Sequence, residues 1–155
     1  MKKYLKLNQK GVTLVELIIG IALSSLVMAA VLTYLVMNIS FSNVAQDEII
    51  VQDQVGKAMK VISDLSLEQE SYQRVSSAHI ILQKGTERIV FKQVGDEVHF
   101  TNVAGETKSI GSNIDTFEIT VVNEKVFNVT ILGIINEGTS DEVSFELTNK
   151  IFLRN

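Results

Sequence analysis

From Val12 to Met37 apolar side chains follow one another almost without interruption, and the 21 residues from Leu17 to Met37 carry no charge. At about 1.5 Å rise per residue a helix over that stretch is roughly 31 Å long, the thickness of a bilayer's hydrocarbon core. Its polar side chains Ser24, Ser25 and Thr33 can bond back to helix carbonyls, so they do not prevent a membrane crossing. Beyond Met37 the pattern changes. Phe41, Val44, Val51, Val55, Ala58, Ile62 and Leu65 recur at spacings of three, four and seven, with Asp47, Glu48, Asp53, Lys57, Lys60 and Asp64 between them. That predicts an amphipathic continuation over residues 38–70 with one buried stripe, and hence a helix of more than 50 residues from Val12 whose segment 12–37 is membrane-embedded.

From Ala78 onward the period falls to two. Ala78 to Lys84, Glu87 to Val94 and Glu97 to Val103 read as strands joined at Gly85-Thr86 and Gly95-Asp96, where a leading glycine suits a two-residue type II′ turn. A second group, Ile114 to Val122, Lys125 to Ile135 and Glu142 to Leu153, alternates in the same way around the turns Asn123-Glu124 and Asn136 to Ser140, while Leu67 to Gln73 loses all pattern and reads as a boundary. One face of such a sheet must be covered, and the Phe41 to Leu65 stripe is the available cover. The expected fold is α+β: a long N-terminal helix packed on an antiparallel β-sheet, with residues 71–155 forming the β head.

Charge gives the helix a direction. Lys2, Lys3, Lys6 and Lys10 all precede the apolar run and the next lysine is Lys57, so the positive-inside bias places Met1 in the cytoplasm and everything beyond Met37 outside, as a single-pass membrane protein. Glu16 is the residue that a plain anchor leaves unexplained, because a carboxylate on a membrane helix costs about 2.5–3.5 kcal/mol at mid-bilayer and less near an end. Its natural partner is a cation. Cleavage between Gly11 and Val12 would create an α-amino group one helical turn from Glu16, and the amine of a neighbouring copy could neutralise the carboxylate and fix the axial stagger between subunits. A secretory signal peptide cut near Val27, Met28 and Ala29 is the weaker alternative, since the apolar run continues through Val31, Leu32 and Tyr34.

The run Lys10, Gly11, Val12, Thr13, Leu14, Val15, Glu16, Leu17, Ile18 resembles the type IV prepilin cleavage and methylation motif. The resemblance implies a basic leader over residues 1–11 cut after Gly11 by a prepilin peptidase and N-methyltransferase, which methylates the amine of Val12. It further implies assembly with other pilin or pseudopilin subunits and an inner-membrane assembly platform, and a cell-surface filament carrying an extracellular or periplasmic head. Leu14, Leu17, Ile18, Ile21 and Leu32 would then pack the filament core and Glu16 would set the stagger. Many members begin the mature chain with Phe where this one has Val12, and many major pilins bend this helix with a proline near the position of Thr33, which is absent here. The closing segments, Val126 to Thr130 and Lys150 to Asn155, are similar to those of minor pilins and pseudopilins of the J or W type, implying a tip or priming subunit present in few copies. A membrane-anchored extracellular binding module that never polymerises is the competing class.

Other chemistry adds little. With no cysteine and two histidines, His79 and His99, 20 residues apart, the chain offers no material for thiolate metal sites or triads, so neither an enzyme nor a cofactor is expected. Asn136, Glu137, Thr139, Ser140, Asp141 and Glu142 gather oxygen ligands in one turn but do not follow an EF-hand pattern, and a solvated loop is expected. The sequons at Asn38 and Asn128 are short patterns assigned no role, and Gly105 and Gly111 are too far apart to cradle phosphate. Without the four leader lysines, ten basic residues face 18 acidic ones, a charge near −8 that disfavours direct nucleic-acid binding. Lipid and other subunits are the expected partners.

Overall fold

The computed structural model describes residues 12–154. Helix α1 (Leu14–Ser66) is followed by strands β1 (Ser71–Ser76), β2 (His79–Lys84), β3 (Glu87–Val94), β4 (Glu97–Thr101), β5 (Thr107–Gly111), β6 (Ile114–Asn123), β7 (Val126–Ile135) and β8 (Val143–Phe152). The strands pair antiparallel in two sheets, one ordered β1-β2-β3-β4-β5 and one ordered β6-β7-β8. This is the expected α+β architecture, a long N-terminal helix with antiparallel sheets, but the single sheet foreseen from the sequence is two. The chain divides into two compact units, one ending at Ser42 and one beginning at Asn43.

The unit from Asn43 holds the core. Val51, Val55, Ala58, Met59 and Ile62 of α1 are buried against Ile80, Leu82, Phe91 and Val98 of the larger sheet and Ile114, Phe117, Ile119, Phe127, Val129 and Ile131 of the smaller one. Burying each large apolar side chain contributes about 1.5–3 kcal/mol. Both sheets make room for the helix with a glycine. A β-carbon on Gly111 would stand 3.0 Å from the Ala58 Cβ, and one on Gly133 would stand 2.8 Å from Val55 Cγ2 and 2.9 Å from Val51 Cγ1. The stripe is shorter than its periodicity suggests. Phe41 is 76% exposed, so burial on α1 is complete only from Val51 onward and extends through Met59 to Ser66.

The hairpin turns form as the glycines require, with φ of +59° at Gly85 and +63° at Gly95. Two strands escape the alternation rule. β1 occupies part of the supposed boundary, and β5 lies beyond Val103; both are edge strands whose residues are mostly exposed. The sheets are stitched together by Gln93 of β3. Its Nε2 donates to the carbonyls of Gly95, Ile114 and Asp115 at 3.1, 3.0 and 2.9 Å, and its Oε1 accepts from the Phe117 N–H at 3.1 Å. Backbone bonds from Ile114 to Asp96 and from Ile119 to Ser77 reinforce the seam. The chain's end is tied near the helix exit: Arg154 N–H donates to the Gln69 carbonyl at 3.0 Å, and Lys125 Nζ donates to the carbonyls of Glu70 and Arg154.

Candidate functional site

The candidate site is the start of α1. Thr13 is the N-cap residue and Glu16 stands at the third helical position. The Glu16 N–H donates to Thr13 Oγ1 at 3.2 Å, while the N–H and hydroxyl of Thr13 donate to Glu16 Oε2 at 3.1 and 3.0 Å. This reciprocal arrangement is a capping box, which satisfies backbone donors that the first turn otherwise leaves open and places a negative charge at the positive end of the helix. Glu16 thus caps its own helix with Thr13, beside the intermolecular role its charge suggests. The legible signal was Thr-x-x-Glu immediately before an apolar run. Both bonds fall on Oε2, which leaves Oε1 open to a further donor among the described residues.

Every residue from Val12 to Asn43 is exposed in the single chain. Leu14 is 74% and Ile21 63% exposed, and Leu17, Ile18 and Leu32 are similarly bare. At 100° per residue the five packing candidates Leu14, Leu17, Ile18, Ile21 and Leu32 fall within an arc of about 100°, and Glu16 lies on the opposite side. Thus the structure collects the predicted packing residues on one face and puts the carboxylate on another. Between Glu16 and Ser24 the surface is a shallow trough at Gly20, where a β-carbon would meet nothing within 4 Å.

A helix that is apolar all round cannot be the surface helix of a soluble domain; it needs lipid or neighbouring helices on every side. Its apolar part meets the length and composition of a membrane span. Two of its three polar side chains bond back to helix carbonyls as expected, Ser25 Oγ donating to Ala22 at 2.8 Å and Thr33 Oγ1 to Ala29 at 2.9 Å. The leader over Met1–Lys10 and the predicted cleavage residue Gly11 lie outside the described residues.

Elsewhere the chemistry is structural. Among the described residues no group of three or more His, Cys, Asp or Glu side chains is gathered as a metal centre needs. In the acidic turn, Glu142 Oε2 accepts from the Gly138 N–H at 2.8 Å and the Asn136 amide donates to Asp47 Oδ2 at 2.8 Å, so these oxygens hold the loop and tie it to α1. His79 and His99 sit on β2 and β4, and His99 Nε2 lies 2.9 Å from Glu97 Oε2.

Compared with known proteins, residues 6–32 match the family model described as the prokaryotic N-terminal methylation motif. The match covers Gly11, where cleavage is expected, the capping box and the apolar helix as far as Leu32. No curated protein and no solved structure matches the chain significantly.

Proposed function

We propose that the chain is a structural, non-enzymatic subunit of a type IV pilus or of a related secretion or competence pseudopilus. It enters the membrane with its lysines in the cytoplasm, is cut after Gly11, is methylated at Val12, and is drawn by the assembly platform into a helical stack. The observation that carries this reading is a processing motif laid over a helix whose whole circumference is apolar and bare, with one carboxylate in its first turn. Packing in a filament core covers all sides at once. The spare oxygen of Glu16 is then the acceptor for a neighbour's Val12 amine, while the other oxygen keeps its own helix capped. Two finer features favour a subunit present in few copies: the helix from Leu14 to Ser66 has no proline to bend it, and the closing strands resemble those of J- or W-type minor subunits.

Two measurements test this. Intact-mass and N-terminal analysis of the protein from its native envelope is expected to find a chain beginning at methylated Val12; retention of Met1 favours the non-polymerising anchor instead. The second is substitution of the carboxylate. Glu16→Gln keeps an acceptor for Thr13 but removes the charge, and Glu16→Ala removes both. Both variants are expected to insert in the membrane and to be lost from sheared filaments, whereas normal incorporation of Glu16→Gln would overturn the counterion role.

A further inference from the structure

Far from the N-terminus, β8 forms an open edge of the smaller sheet. β8 is ten residues long and pairs with β7 over its whole length without a register shift, from Val126↔Phe152 to Ile135↔Val143. Other edges are interrupted or tied. β1 is irregular between Arg74 and Ser76, β5 has five residues on an irregular ladder, and β6 carries two shifts and is bonded across to the larger sheet. The direction of the free backbone groups follows from two bonds. Leu153 N–H donates to the Lys125 carbonyl at 2.9 Å in register with the β7–β8 pairing, and Ile134 N–H on β7 donates the other way, to the Asn113 carbonyl. Odd-numbered residues of β8 therefore direct their N–H and C=O groups to β7. Those of Ser144, Glu146, Thr148, Lys150 and Phe152 face the open side. A long, regular, unpaired row of this kind is a template for another strand unless it is blunted, and β8 has neither a bulge nor a proline.

The side chains on the exposed face state which strand fits. We propose that β8 pairs antiparallel with β8 of a second copy of this chain, about a two-fold axis through Thr148. In that register Glu146 lies opposite Lys150 of the second copy and Lys150 opposite its Glu146, with Ser144 opposite Phe152. Centring the pairing on Glu146 or on Lys150 would set like charges face to face, and centring it on Leu147 or Asn149 sets both charged residues opposite uncharged ones and loses both matches, so charge selects a single arrangement. All five side chains are exposed, and the Lys150 ammonium stands 5.6 Å from the Phe152 ring on the same face. The buried stripe of α1 lies along the sheets for more than four turns, so a two-fold axis normal to the smaller sheet reverses the helix from one copy to the other. The contact therefore joins copies whose packed helices run in opposite directions and is distinct from the helical stack proposed above. It does not depend on the processing or the counterion described above.

Charge reversal tests it on the full-length protein in detergent micelles. Analytical ultracentrifugation is expected to show a monomer–dimer equilibrium, and hydrogen exchange to show slowing at Ser144, Glu146, Thr148 and Lys150 as concentration rises. Glu146→Lys or Lys150→Glu alone is expected to weaken the dimer about ten-fold, and the double swap to restore it, because opposite charges then face each other again. Association that ignores these substitutions, as a contact through the apolar helix would, overturns the proposal. So does a protein that stays monomeric at every concentration, or a dimer in which these amides exchange as freely as in the monomer.

Discussion

A methyl group at position 133 has nowhere to go. Gly133 lies in mid-strand on β7, and its added carbon would press on Val51 and Val55 at under 3 Å and on the Asn113 carbonyl oxygen at 3.1 Å. Gly133→Ala is therefore expected to destabilise the head by about 1–3 kcal/mol, read as a lowered thermal midpoint, with partial recovery when Val55→Ala is added. The glycine was visible in the strand pattern, but its reason was not, because that depends on how closely a helix 80 residues earlier comes to rest on it. Tyr72 offers a second test at this scale. Its hydroxyl donates to the Asn123 carbonyl and its ring leans on Phe127. Desolvation, and then the nearby Glu124 carboxylate, raise its pKa above the ordinary phenol value. Since the folded state holds the phenolic proton more tightly, this contribution to stability is intact below the ordinary phenol pKa and is lost as pH climbs through the raised one. Ultraviolet titration should show this tyrosine ionising late, and Glu124→Gln should bring it only part of the way back because burial is the larger cause.

At the scale of elements, the seam between the sheets depends on one amide. Gln93→Met keeps the length of the side chain but strands the Phe117 N–H and the carbonyls of Gly95, Ile114 and Asp115. The expected loss is about 1–3 kcal/mol, with faster exchange at Phe117 and at Ile119, whose own N–H bond to Ser77 crosses the same seam. Such a clasp is invisible to periodicity, since a glutamine in an alternating strand reads simply as a polar position. What periodicity did carry was the length of α1, and the hairpins whose leading glycines adopt positive φ. It failed at β1 and β5, where edge position leaves hardly any burial to imprint an alternation. Phe41 was misplaced for a related reason: a stripe drawn from spacing does not reveal where the surface beneath it ends. At the candidate site, Glu16 stands out in the sequence by its charge, and the cap it forms with Thr13 is announced by their spacing.

For the molecule as a whole, the division at residue 42 separates a bare apolar stretch from the unit that holds the core. The buried core draws only on Val51 and later residues. A chain beginning at Asn43 is accordingly expected to stay in solution without detergent and to melt within a few degrees of the full-length protein in micelles, followed by circular dichroism. A large drop would mean that residues 12–42 contribute to the head's stability. The bonds at the chain's end have a mechanical consequence. A pull travelling down α1 that passes the buried stripe from Val51 to Ser66 next meets Gln69 and Glu70, where Arg154 and the Lys125 ammonium grip the backbone. Tension arriving there is shared with Lys125 and Arg154, which border β7 and β8, before it reaches the hairpin beginning at β1.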